Sequence, residues 1–157
     1  MKNRYKPILA HTEEHFEAGR QLVIEYVEAL HFDVSFQNYE VDLAQLHIMY
    51  NKPHGALWLI EENGAYKGCS GVRRINEQIC ELKRTYVKSE LRGKGLGQLL
   101  LQHCIDSARE IGYQKMFLDT HLDMGPAIAL YRKNGFKDIP AYYHNPIEET
   151  KYLGLEL

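Results

Sequence analysis

The six residues Arg92-Gly93-Lys94-Gly95-Leu96-Gly97 stand between a stretch of strand character, Ile79 to Val87, and an amphipathic helical stripe. The stripe is Gly97, Leu100, Leu101, Cys104, Ile105, Ala108 and Ile111, and it ends near Gly112. A helix entered through such a turn presents unbonded backbone N–H groups and the positive end of its dipole to an anion. Glycines let the backbone approach closely, and Arg92 and Lys94 add positive charge, so a pyrophosphate suits the loop better than a single carboxylate. Taken alone, the same residues read equally well as a plain glycine turn into a helix. Two other phosphate motifs fail: GxGxxG needs a glycine where Gln98 stands, and GxxxxGK followed by Ser or Thr is absent.

The remaining pattern is mixed α/β. Tyr5 to Ala10 can open with a strand, and Thr12 followed by Glu13 and Glu14 is an N-cap with acid in the first turn. Phe16, Leu22, Val23, Tyr26, Val27 and Leu30 then give one buried helical face. The stretch His31 to Tyr50 is less periodic, with Leu43, Leu46 and Met49 indicating a second, shorter helix before Pro53. Ala56 to Ile60 and Tyr66 to Ile75 form a hairpin about Asn63-Gly64, and Ile79 to Val87 follows a turn at Asn76-Glu77. Regular alternation along Ile79 to Val87 sets Cys80, Leu82, Arg84 and Tyr86 opposite Glu81, Lys83, Thr85 and Val87. Lys115 to Thr120 reads as a strand, Pro126 opens a helix that stops at Gly135, and Phe136 to Tyr142 and Thr150 to Leu157 close the sheet. Residues 1–157 are expected to form one domain, a sheet flanked by helices.

Composition narrows the function. With 45% hydrophobic and 25% charged residues the chain has enough apolar content for a core, and a net charge of -2 gives no electrostatic case for nucleic acid. Basic residues are scattered rather than clustered, and no segment reaches the roughly 18 apolar residues of a membrane span, so neither nucleic acid nor membrane is an expected partner. Cytoplasmic location follows as the expectation. Cys69, Cys80 and Cys104 form no CxxC pair and sit in apolar patterns, which points to buried thiols and no metal.

With these elements in place, the chain resembles the GNAT superfamily of N-acetyltransferases. The family's pyrophosphate signature, Gln or Arg, two residues, Gly, one residue, then Gly or Ala, is met by Arg92, Gly95 and Gly97. Glu81 to Val87 looks like the family's fourth strand, Lys115 to Thr120 its fifth, and Ala129 to Phe136 its LYxxxGF helix end. The resemblance implies a mostly antiparallel sheet of six to seven strands, about four flanking helices, and fourth and fifth strands that splay. It implies acetyl-CoA as cosubstrate, its pantetheine along Tyr86 and Val87 and its pyrophosphate at Arg92, Gly93, Lys94, Gly95, Leu96, Gly97 and Gln98. It also implies direct attack of the amine on the thioester, and dimerisation through late strands in some members.

Two catalytic roles follow from the resemblance. Glu81 matches the strand glutamate that serves some members as general base, and it reads equally as a strand charge paired with Lys83 or Arg84. Tyr131 matches the general acid for the departing thiolate, or it packs its ring in the core. His121 is a second-rank candidate for either role. Many members carry Asn seven residues before the tyrosine, where this chain has Met124, so that pantetheine contact is not carried over.

The expected acceptor is a primary amine of a small molecule. A protein N-terminus or lysine, or a non-catalytic acyl-CoA sensor, are the alternatives. Arg73, Arg74 and Lys83 border the expected cleft and either hint at a carboxylate on the acceptor or are solvated strand charges. Tyr142, Tyr143 and His144 either line the pocket or cover a sheet edge.

Overall fold

The computed structural model describes residues 4–30 and 39–157. Residues 31–38, the first part of the stretch read for a second helix, lie outside the described residues. The chain runs β1 (Lys6–Leu9), α1 (Glu13–Ala29), α2 (Tyr39–Ala44), α3 (Leu46–Met49), β2 (Ala56–Glu62), β3 (Ala65–Arg74) and β4 (Ile79–Val87). A 3-10 turn at Ser89–Leu91 leads to α4 (Leu96–Ile111), β5 (Lys115–His121), α5 (Gly125–Lys133), β6 (Lys137–Asp138) and β7 (Thr150–Glu156). The strands form one seven-stranded sheet in the order β1-β2-β3-β4-β5-β7-β6, antiparallel except for the parallel β4–β5 pair. Among the described residues no helix is long and apolar enough to cross a membrane.

Local chemistry accounts for most boundaries. Thr12 Oγ1 accepts a hydrogen bond from the His15 amide at 3.1 Å and starts α1. Asn63 and Gly64, at φ 50° and 81°, make the two-residue turn that brings Glu62 opposite Ala65. Gly112, at φ 107°, stops α4.

The core is built on both faces. Leu101, Cys104, Ile105 and Ala108 of α4 pack on Val72, Cys80, Leu82, Met116 and Leu118. On the other face Phe16, Leu22 and Val23 of α1 pack on Leu57, Leu59, Cys69 and Tyr86. Each large aliphatic side chain buried in these layers contributes about 1.5–3 kcal/mol.

Regular alternation fails in β4. Its pairing with β3 runs from Arg74↔Cys80 to Gly71↔Lys83 and resumes one residue out of step at Cys69↔Tyr86, so Ser70 opposes both Arg84 and Thr85. Arg84 has φ 60°, and the bulge moves it to the face of Glu81 and Lys83. Arg84 there meets Asp42 of α2, while Cys80, Leu82 and Val87 turn to the α4 face and Tyr86 to the α1 face. The expected grouping of Arg84 with Cys80 and Leu82 is thereby corrected.

The expected strand Phe136 to Tyr142 shrinks to Lys137–Asp138. Ile139 still donates its amide to the Tyr152 carbonyl at 3.0 Å, and beyond it the chain turns inward, with the Tyr142 and Tyr143 hydroxyls bound to carboxylates on β4 and β5.

Candidate active site

β4 and β5 are joined by three register pairs only, Ile79↔Lys115, Cys80↔Met116 and Glu81↔Phe117. β5 is held along its whole length by β7, and β4 by β3 apart from the bulge. Beyond Glu81 the two strands therefore part, and among the described residues their facing backbone edges do not pair across the gap. A cavity of about 560 Å³ opens there, lined by Leu82 to Val87, Leu118 to His121 and Tyr131. The expected splay of the fourth and fifth strands is present.

At one end of the gap lies the glycine loop. Gly93 and Gly95 have φ 80° and 79°, a region that glycine adopts at little cost, and a Cβ built on either would meet no atom within 4 Å. Glycine is required there by the backbone, and the space outside it is open for a ligand. Gly95 caps α4 without a side-chain hydrogen bond, and the first helical bond is Leu99 N–H to Gly95 C=O at 3.1 Å. The N–H groups of Leu96, Gly97 and Gln98 thus precede the intrahelical ladder, as an anion site needs. Arg92 and Lys94 are exposed beside them, and Leu96 buries its side chain in the core, leaving only its backbone to offer. The Gln98 amide exchanges two hydrogen bonds with Asn134, at 2.9 and 2.8 Å, so Gln98 too offers its backbone N–H. These residues fit a pyrophosphate.

Tyr86 and Val87 line the gap with side chains already committed. The Tyr86 hydroxyl donates to Glu25 Oε2 at 2.6 Å, and Val87 packs toward Leu91, Leu96 and Leu100. Burial and the Glu25 carboxylate push the Tyr86 phenol up to about 12. Their backbone, unpaired with β5, is left to offer hydrogen bonds to a ligand in the gap.

Tyr131 projects from α5 into the cavity lining, 8% exposed, with its ring 5.6 Å from that of Phe136. Burial pushes its phenol up to about 12, with a Thr85 hydrogen bond acting the other way. The phenol therefore carries its proton throughout the neutral range. Met124, at the start of α5, lines the cavity with an apolar side chain where many members have an amide.

Glu81 is 4% exposed and set back from the cavity lining. Its carboxylate accepts a hydrogen bond from the Tyr142 hydroxyl and lies 3.6 Å from Arg73 Nε and 3.9 Å from Lys83 Nζ. Tyr142 packs against Phe117 with ring centroids 5.2 Å apart and the rings tilted by 39°.

A model of the acetyltransferase (GNAT) family matches residues 19–136. The chain belongs to this family. It is thus an acetyl-CoA-dependent N-acetyltransferase. An uncharacterized N-acetyltransferase of Schizosaccharomyces pombe is 39% identical to it over 140 residues, 88% of this chain and 86% of that one. An acetyltransferase structure from Streptococcus agalactiae superposes with a TM-score of 0.80 at 21% identity, covering 99% of each chain. A GNAT acetyltransferase from Elizabethkingia anophelis, solved with acetyl-CoA bound, gives a TM-score of 0.68 at 20% identity over 99% of this chain and 100% of that one.

Within this GNAT frame the strand face that holds Glu81 carries more than sequence reading assigned. Counting by two from Glu81 and Phe117 puts Lys83 and Asp119 on one face, at the point where the strands part. Asp119 lines the cavity, and its Oδ2 accepts hydrogen bonds from the Tyr143 hydroxyl and from Asn145 Nδ2, the latter at 2.8 Å. The period of two along Lys115 to His121 was the signal that could have singled it out. His121 lines the cavity with Asp123 Oδ2 3.4 Å from its Nδ1. Of the three cations expected near an acceptor carboxylate, only Lys83 lines the cavity. Arg73 is held by Asp42 and Glu81, and Arg74 by His54 and Glu77. His144 is exposed, while Tyr142 and Tyr143 bind the carboxylates.

Substituting Gly95 by a bulky residue such as Leu is expected to weaken acetyl-CoA binding tenfold or more, by roughly 1.4 kcal/mol at least. The new side chain strains φ 79° and projects into the open space before the helix. Calorimetric titration of the folded variant checks this, and an unchanged Kd would rule the loop out as the anion site.

Proposed function

We propose that this chain transfers the acetyl group of acetyl-CoA to a primary amine of a small molecule, by direct attack of the amine on the thioester. The observation that carries the small-molecule reading is the wall of the cavity. Asn145, Ile147 and Thr150, from the connection between β6 and β7, line it. That connection is tied down by Tyr142 to Glu81 and by Tyr143 and Asn145 to Asp119. The cavity of about 560 Å³ also holds the Tyr86-Val87 edge proposed for pantetheine, so the part left beside Asn145, Ile147 and Thr150 suits a small acceptor.

In the reaction the nitrogen lone pair forms a bond to the thioester carbon, the C–S bond breaks, and coenzyme A leaves as the thiolate. The amine must lose a proton before or during attack, and Glu81 is the proposed acceptor. Because Glu81 is set back from the cavity, the proton reaches it through water or through the Tyr142 hydroxyl it holds. Tyr131, protonated at neutral pH, donates to the thiolate. The cofactor residues are those of the glycine loop and of the Tyr86-Val87 edge.

The test is a panel of small amines and of peptides with free N-termini or lysines, scored by acetyl transfer. Turnover confined to peptides would move the acceptor to proteins, and acetyl-CoA binding without any turnover would make the chain a sensor.

Tyr131→Phe keeps the ring in the core and removes only the hydroxyl. It is expected to bind acetyl-CoA normally while single-turnover transfer falls by about tenfold to a thousandfold. With the wild-type phenol held near 12, its ionisation should produce no loss of rate below about pH 10. Equal single-turnover rates would return Tyr131 to a packing role.

A further inference from the structure

Lys83 on β4 and Asp119 on β5 occupy equivalent places on the two strands, two residues beyond the last register pair Glu81↔Phe117. Both line the cavity, one on each side of the gap, and no ion pair joins them. The Lys83 side chain is 10% exposed, and the nearest carboxylate oxygen, Glu81 Oε1 at 3.9 Å, lies beyond hydrogen-bond length. Among the described residues its ammonium makes no hydrogen bond, although it is a three-donor group taken out of water. Glu81 is in turn shared with Arg73 and Tyr142. Asp119 spends its Oδ2 on Tyr143 and Asn145, and its Oδ1 has no partner among the described residues.

The other charged side chains around the cavity are committed. Arg84 is bonded to Asp42 at 2.8 Å, His121 sits with Asp123, and Arg92 belongs to the glycine loop at the far end. A buried cation and a half-satisfied carboxylate therefore face each other across the place where acceptor and thioester must meet. A buried ammonium left short of partners is costly, and a ligand carboxylate would supply the missing charge-assisted bonds. Burial already pulls the Lys83 ammonium down from its usual range, which an added anion would offset.

We infer that the acceptor is a zwitterion, an amine that also carries a carboxylate, with the carboxylate received by Lys83 and the ammonium by Asp119 before it loses its proton. This rests on the chain being a small-amine acetyltransferase and specifies which amines it takes. The same arrangement disfavours polyamines, whose second ammonium would have to sit beside Lys83.

The experiment uses the full chain, acetyl-CoA, and sets of acceptors sharing one carbon frame: an amino acid, its carboxamide, and the amine without the carboxyl group. The expected kcat/KM favours the acid over the other two by about tenfold to a hundredfold, the size of a charge-assisted hydrogen bond. In Lys83→Met, or in Lys83→Gln should the first variant fail to fold, that ratio should fall toward one. Asp119→Asn should raise KM for all three acceptors together, since they share the ammonium. Equal rates on acid and carboxamide in the wild type would overturn the inference while leaving the small-amine reading intact. An undiminished preference in a folded Lys83 variant would overturn it too. Absence of turnover with every amine, acetyl-CoA binding being normal, would bring down both readings together.

Discussion

Glu81→Gln is expected to lower single-turnover acetyl transfer about 10²- to 10⁴-fold at neutral pH, the range typical of lost general-base catalysis. The substitution keeps an oxygen that can accept from the Tyr142 hydroxyl, so the Tyr142–Phe117 ring contact and the connection it anchors should stay in place. It removes the charge that receives the amine's proton and that balances Arg73 and Lys83. Two further measurements separate loss of the base from disturbed packing. Acetyl-CoA affinity and melting temperature should remain near wild type while the chemical step slows. Wild-type turnover with an unaltered pH–rate profile would reject the base role. A matching fall in acetyl-CoA affinity would make Glu81 structural.

Asp42→Ala should destabilise the fold by about 3–5 kcal/mol, the cost of breaking a buried ion pair. Asp42 and Arg84 side chains are each 3% exposed and joined at 2.8 Å, and the same carboxylate accepts from the Tyr50 hydroxyl at 2.7 Å and lies 3.4 Å from Arg73. Removing it strips the Arg84 charge of this counterion and leaves Tyr50, fully buried, without this acceptor. Asp42→Asn keeps an acceptor and loses only the charge, so it should cost less. Urea unfolding with linear extrapolation checks both. A loss below about 1 kcal/mol for Asp42→Ala would show that the pair contributes little beyond its own desolvation. Because Arg84 sits in the β4 bulge, acetyl-CoA affinity should weaken along with stability.

The order of elements was legible because it rests on local causes. Thr12 caps α1, Asn63-Gly64 turns the hairpin, and the period of the α4 stripe needs no partner to be seen. The glycine loop was legible for the same reason, since its chemistry is made by consecutive backbone groups. Tyr131 and Glu81 were reached only through motif resemblance, because nothing in their neighbours along the chain distinguishes a catalytic group from a packed one.

The tertiary structure alone decided which charges face the cavity. Sequence alternation put Arg84 with Cys80 and Leu82, but the bulge opposite Ser70 turned it toward Asp42, 42 residues earlier in the chain. Tyr142 has strand character in the sequence, but its hydroxyl reaches Glu81, 61 residues away. Asp119 became a cavity residue because β5 is held by β7 while β4 is held by β3, so the two strands part beyond Glu81 and Phe117. Local propensity and periodicity act over a few residues and are written in the sequence. The pairing of buried charges and the parting of two strands depend on what the rest of the sheet holds in place, and only the folded chain brings those constraints together.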